Sequence, residues 1–200
     1  MPIPNHIREI IKSGQEAVSL DLTNYGLFDR DMDLLVSLLS DNKKITTVKL
    51  NLRYNNINTE GARLLGSLAI LKELDISQNS IDDNGVEHLL GNKSITILNL
   101  GDNAITDKGA NLLMKKGAHL TRLEIYDNQE IDDDLRRKIE AHFRKKKQLP
   151  PSNSNNFFDN QSKDKLDVSE MPFQETLSHS TITASESIQD IIVRLGISSH

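Results

Sequence analysis

The 200 residues encode a stacked α/β solenoid, and three features of the chain lead there. Four segments superimpose when slid along it by 24 or 25 residues: Leu50-Asn51-Leu52-Arg53-Tyr54-Asn55-Asn56-Ile57, Leu74 to Ile81, Leu98 to Ile105, and Leu123 to Asn128. Inside each segment apolar and polar residues alternate, which is the period of a strand with one buried face. After each segment the spacing changes to that of a helix. Self-similarity at this period marks units that bury their apolar faces on one another.

Numbered from Leu71, one unit reads Leu71-Lys72-Glu73-Leu74-Asp75-Ile76-Ser77-Gln78-Asn79-Ser80-Ile81, with apolar residues at positions 1, 4, 6 and 11 and Asn at position 9. The pattern recurs from Ile95 (Leu98, Leu100, Asn103, Ile105) and from Leu120 (Leu123, Ile125, Asn128). Asn55, Asn79, Asn103 and Asn128 fall where the chain leaves the strand and bends inward. An amide there can donate to and accept from backbone groups that the bend leaves unpaired, so a ladder of structural amides is expected. Asn58, Asp82, Thr106 and Asp132 come next, all types that cap helix N-termini. Gly61, Gly85 and Gly109 follow in register. Ala62, Val86 and Ala110 then stand three residues before Leu65, Leu89 and Leu113, as on one side of a helix. Each unit reads strand, turn, short helix.

This pattern, LxxLxLxxNxI followed by a GxxxL helix, resembles the leucine-rich repeat family, and its continuation resembles the ribonuclease-inhibitor-like subclass. The resemblance covers residues 16–147. It implies a short horseshoe with parallel strands on the concave face and α-helices on the convex face. It specifies function weakly, because one fold hosts many partners.

The remaining elements follow in chain order. Residues 1–15 form an N-terminal capping helix over Pro4 to Lys12, with Ile7, Ile10 and Ile11 inward and Asn5 as its cap residue. Residues 16–131 hold about five repeats. The first, Ala17 to Leu39, carries Leu20, Leu22, Leu27, Met32 and Leu35 in register, but Tyr25 stands in the Asn position and Asp31 in the Gly position. Terminal repeats are expected to be atypical because one face must meet water. Residues 132–148 form a C-terminal capping helix that turns Leu135, Ile139 and Phe143 back onto the last repeat. Residues 149–200 hold 13 Ser/Thr, three Pro and an excess of acids, the composition of a disordered tail. Within it, residues 186–195 bring Ile188, Ile191, Ile192 and Leu195 onto one face of a short helix.

Composition excludes several functions. The net charge of −5 lies mostly in the tail, where seven Asp/Glu face three Lys/Arg, so the repeat domain is nearly neutral and lacks the electrostatic footprint of a nucleic-acid binder. With no Cys, disulfides, thiolate metal sites and cysteine nucleophiles are excluded. No stretch is apolar enough for a leader or a membrane span, so a soluble monomer in a reducing cytoplasm is expected. The six His stand at no metal-ligand spacing, Asp82-Asp83-Asn84-Gly85 lacks a full calcium loop, and no phosphate loop or nucleophile elbow appears. No enzyme, no metal and no cofactor is expected. Arg136-Arg137-Lys138 and Arg144 to Lys147 read as cations complementing a helix C-terminus, with an import signal or an anionic-surface patch as the alternatives.

A binding function therefore rests on the strand-lined concave face, where positions 3, 5, 7 and 8 point outward. Position 3 supplies Lys49, Glu73 and Arg122; position 5 supplies Asn51, Asp75, Asn99 and Glu124. Position 7 supplies Arg53 and Tyr126, and position 8 supplies Tyr54, Gln78, Asp102 and Asp127. Tyr and Arg are enriched in interface hot spots. Six acids, with Asp21 of the first repeat counted at position 5, against three bases across these columns suit a basic or mixed protein partner. The expected function is a non-enzymatic module that holds a protein on this face. The alternative is a regulatory or inhibitory subunit whose C-terminal helix modulates binding. The Ser/Thr/Glu-rich C-terminus, with Ser169, Glu170, Glu175, Glu186 and Ile197, also resembles the leucine-rich repeat effectors that intracellular bacteria inject through type IV secretion systems. That resemblance implies translocation into a host cell and a host protein as partner.

Overall fold

A computed structural model describes residues 3–146. The expectations for the tail, including the helix at 186–195, lie outside the described residues. Twelve elements follow one another: α1 (Asn5–Lys12), β1 (Ala17–Asp21), α2 (Asp29–Asp41), β2 (Thr47–Asn51), α3 (Thr59–Gly66), β3 (Leu71–Asp75), α4 (Asp83–Gly91), β4 (Ile97–Asn99), α5 (Asp107–Lys116), a 3-10 turn (Gly117–His119), β5 (Arg122–Glu124) and α6 (Asp133–Lys146). The five strands form one open parallel sheet in the order β1-β2-β3-β4-β5.

The sequence register becomes a spatial register. Ser19, Lys49, Glu73, Ile97 and Arg122 align across the sheet, as do Leu20, Leu50, Leu74, Leu98 and Leu123, and Asp21, Asn51, Asp75, Asn99 and Glu124. The leucine row faces the helices and is buried, together with Leu22, Leu52, Ile76, Leu100 and Ile125. On the helix side, Ala62, Val86 and Ala110 pack with Leu65, Leu89 and Leu113 and are equally buried. Successive helices α2 to α6 contact their neighbours, so each repeat covers the apolar face of the one before.

The asparagine ladder forms as the amide chemistry requires. Asn79 accepts from the Ile57 N–H at 3.0 Å and donates to the carbonyls of Leu52, Ile76 and Ser77. Asn103 repeats this with Ile81, Ile76, Leu100 and Gly101, and Asn128 with Ile105, Leu100, Ile125 and Tyr126. Each amide thus ties its own turn to the preceding repeat. The first repeat has no repeat before it to tie. There Tyr25 packs against the core, with its ring centroid 6.3 Å from that of His6 in α1.

The caps also follow the residue types. Asn58, Asp82, Thr106 and Asp132 accept backbone N–H bonds from the first turns of α3, α4, α5 and α6. A second link runs between repeats: Asp83 Oδ1 accepts from the N–H groups of Thr106 and Gly109 at 3.0 and 2.9 Å. A Cβ on residue 109 would fall on that carboxylate oxygen and on the Ile105 side chain, which is why glycine stands there. One expectation is corrected. Asn5 does not cap α1; Pro4 occupies the cap position with no side-chain bond, and Asn5 is the first helical residue.

Candidate binding face

Side chains at position 5 leave the sheet on the side away from the helices, yet most of them do not reach solvent. Asn51 is 0% exposed, Asp75 2% and Asn99 5%. They are held by the turn that follows each strand. Asp21, Asn51, Asp75 and Asn99 each accept the backbone N–H two residues on, from Thr23, Arg53, Ser77 and Gly101 at 3.0, 3.1, 3.0 and 3.0 Å. Such Asx turns fix the chain as it leaves a strand. Asn99 Nδ2 also donates to Asp75 Oδ2 at 3.1 Å, linking two repeats. The expectation that Asn51, Asp75 and Asn99 present contact surface is therefore corrected: they shape the turns. Burial pushes the Asp75 carboxyl above its ordinary range, against the lowering effect of bonds from Ser77 and Asn99 and of the nearby Arg53 charge.

Position 3 is likewise largely committed within the molecule. Glu73, 8% exposed, pairs with Lys49 at 2.8 Å across two strands, and its expected exposure is corrected too. Arg122 pairs with Glu124 at 2.7 Å, and both are half-buried.

Beyond the first strand, the reachable part of the face lies at the C-terminal ends of the strands, at position 8 and at Arg53 and Tyr126 of position 7. All five position-8 residues adopt a left-handed backbone: Asn24, Tyr54, Gln78, Asp102 and Asp127 have φ of 58°, 56°, 54°, 52° and 54°. Asn and Asp tolerate this region, whereas a bulky side chain is an outlier there. Tyr54 is nevertheless 49% exposed, with the Arg53 guanidinium carbon 4.8 Å from its ring centroid. Arg53 Nε donates to Gln78 Oε1 of the next repeat, which orients the guanidinium over the ring. Two repeats on, the Tyr126 ring lies flat across Gly101. A Cβ at residue 101 would fall on the ring carbons, so the glycine makes room for the aromatic of the neighbouring repeat. Asp102 and Asp127 stand exposed beside it.

The sequence reading missed Phe28, which is 44% exposed on the adjacent turn, with the Arg30 guanidinium carbon 5.1 Å from its ring centroid. Its backbone bridges to Asn56, two residues after Tyr54. A signal was present: Phe28 occupies the column where the other repeats carry Asn58, Asp82, Thr106 and Asp132. Among the described residues, no group of three or more His, Asp or Glu could hold a metal ion, and no helix is long and apolar enough to cross a membrane.

Residues 42–66, 69–90 and 91–114 each match the family model described as Leucine Rich repeat. The fold is a leucine-rich repeat solenoid. Among solved structures the chain is similar to one titled "Leiomodin-1 Actin-Binding Site 2 (ABS2)", at 15% identity and a TM-score of 0.53, over 74% of this chain and 91% of that one. No curated protein sequence matches the chain. The matched leucine-rich repeats contain Tyr54, Gln78 and Asp102, so these three left-handed positions lie within the repeat framework.

Proposed function

We propose that this chain is a non-enzymatic protein-binding module that grips its partner along the C-terminal ends of its strands. The observation that carries the reading is Tyr54: a large aromatic held in a left-handed backbone, half exposed, and stacked under an arginine that the next repeat orients. The left-handed backbone recurs at this position in every repeat; a bulky residue placed in it costs of order 1–3 kcal/mol, so the tyrosine needs a reason outside the fold. Arg53, Tyr54, Gln78, Asp102, Tyr126 and Asp127 form the contact set. Asn51, Asp75 and Asn99 fix the turns beneath it, and the Lys49–Glu73 and Arg122–Glu124 pairs border it.

The repeats are of the ribonuclease-inhibitor-like subclass in this reading, since each pairs one parallel strand with an α-helix of 8 to 13 residues. From the leiomodin likeness we carry over only that a domain of this build serves there in a protein whose title records actin binding. A host protein as partner and delivery as a type IV effector rest on the tail residues named above.

The test is affinity capture with the full chain, followed by titration of the isolated partner against the Tyr54→Ala/Tyr126→Ala variant. Loss of two hot-spot aromatics should weaken binding by about 2 kcal/mol or more, roughly 30-fold in Kd. An unchanged Kd rejects the assignment of this face.

A further inference from the structure

One series of hydrogen bonds runs through the solenoid and stops at its last strand. The N–H at position 6 of each repeat donates to the position-5 carbonyl of the next: Leu22 to Asn51, Leu52 to Asp75, Ile76 to Asn99 and Leu100 to Glu124, at 2.8, 2.7, 3.0 and 2.8 Å. The N–H at position 8 donates to the next position-7 carbonyl in the same way, from Asn24, Tyr54, Gln78 and Asp102 to Arg53, Ser77, Gly101 and Tyr126. In the fifth repeat the equivalent donors are Ile125 and Asp127. Because the Glu124 and Tyr126 carbonyls face β4, the pleat turns the Leu123, Ile125 and Asp127 peptide groups to the opposite edge, where no further strand lies among the described residues.

That edge opens into a cavity of about 450 Å³ between β5 and α6, floored by Leu123, Ile125 and Phe143 and walled by Tyr126, Arg122 and Arg144. The asparagine ladder is open here as well. The Leu22, Leu52, Ile76 and Leu100 carbonyls each accept an amide from the following repeat, which the Ile125 carbonyl lacks among the described residues; it accepts only from Asn128 of its own turn.

We propose that the open edge of β5 is a second binding site, which takes an extended peptide segment of a partner as a sixth parallel strand. A row of backbone donors and acceptors at strand spacing is a template for another extended backbone. The apolar floor selects side chains two residues apart, since alternate residues of an added strand face the same side. The Ile125 carbonyl, which lacks the amide that a following repeat would donate, selects an Asn three residues further on. The segment recognised therefore has the form apolar-x-apolar-x-x-Asn. This site lies at the end of the sheet and shares Tyr126 and Asp127 with the contact set above, but it uses the backbone of β5, and amide exchange reads it apart from the side chains of Arg53 and Tyr54.

The chain itself supplies a test peptide of this form, residues 95–104, Ile-Thr-Ile-Leu-Asn-Leu-Gly-Asp-Asn-Ala. This peptide, capped at both ends, is titrated into the isotopically labelled full chain, and amide exchange is followed by NMR. The expected result is saturable binding, with exchange of the Ile125 and Asp127 amides slowed at least about tenfold and amides of β1 unchanged. The same peptide carrying Asn99→Pro loses a ladder donor and strand geometry, and should bind at least about tenfold more weakly. Absence of saturable binding, equal binding of the proline peptide, or protection of both amides in the full chain before peptide is added would each overturn the proposal.

Discussion

Asp75 and Asp82 respond to pH in opposite directions, although both are aspartates bonded to backbone N–H groups within a turn. For Asp75 burial dominates and raises its folded pKa above the unfolded value of about 4. For Asp82 burial acts the same way, but bonds from the Thr59 hydroxyl and the Gly85 and Asn84 N–H groups outweigh it and the carboxyl is held lower. The signs follow from proton uptake. Asp75 binds its proton more readily when folded, so its contribution to stability falls as pH rises from about 4 through its folded pKa. Asp82 contributes stability that is present above about pH 4 and is lost as pH falls through its lower folded pKa. Urea unfolding of wild type, Asp75→Asn and Asp82→Asn between pH 3 and 7 should show the wild type losing ground to the first variant, and gaining on the second, as pH rises. Parallel curves would contradict both assignments. Tyr54 carries a related prediction. Asn tolerates the left-handed region, so Tyr54→Asn should leave unfolding stability unchanged or raise it by up to about 1 kcal/mol while weakening partner binding. A stability loss beyond about 1 kcal/mol would mean that Tyr54 serves the fold.

Among the elements, the turn after each strand carries the most structure per residue. Asn103→Ala would strand the Ile81 N–H and remove donors to the Ile76, Leu100 and Gly101 carbonyls. Thermal or urea unfolding should register a loss of about 3 kcal/mol. Asn103→Asp should not rescue it, since a carboxylate keeps the acceptor but sets oxygen against three carbonyls. This ladder, the strands and the helix caps were legible in the sequence because each depends on residue type at a fixed spacing. The exposure of Asn51, Glu73, Asp75 and Asn99 was not. Alternation tells which side of the sheet a residue leaves from, but not that Arg53, Gln78, Lys49 and Tyr126 lie across the gaps between strands. The left-handed column was half visible in Asn24, Asp102 and Asp127, and masked by Tyr54 and Gln78, the two residues whose presence there most needs a reason.

For the repeat domain as a molecule, stability is spread over nearest-neighbour contacts while binding is concentrated in a few side chains. Stacked repeats give a sum of small interfaces, so exposed positions can vary without loss of the fold. The strand-lined face uses that freedom unevenly: its middle is closed by ion pairs and Asx turns, and its turn edge presents Arg53–Tyr54 at one end and Tyr126 beside two aspartates at the other. The helix side offers a control of the same kind, the exposed Lys116–Glu87 pair at 2.6 Å, because exposed ion pairs contribute little to stability. The decisive measurement is the Kd of the captured partner for the full chain, for Tyr54→Ala/Tyr126→Ala and for Glu87→Ala/Lys116→Ala. A loss of roughly 30-fold in the first variant with no change in the second is the predicted result. Equal affinity for wild type and the tyrosine variant, or a loss confined to the helix-side variant, would contradict it.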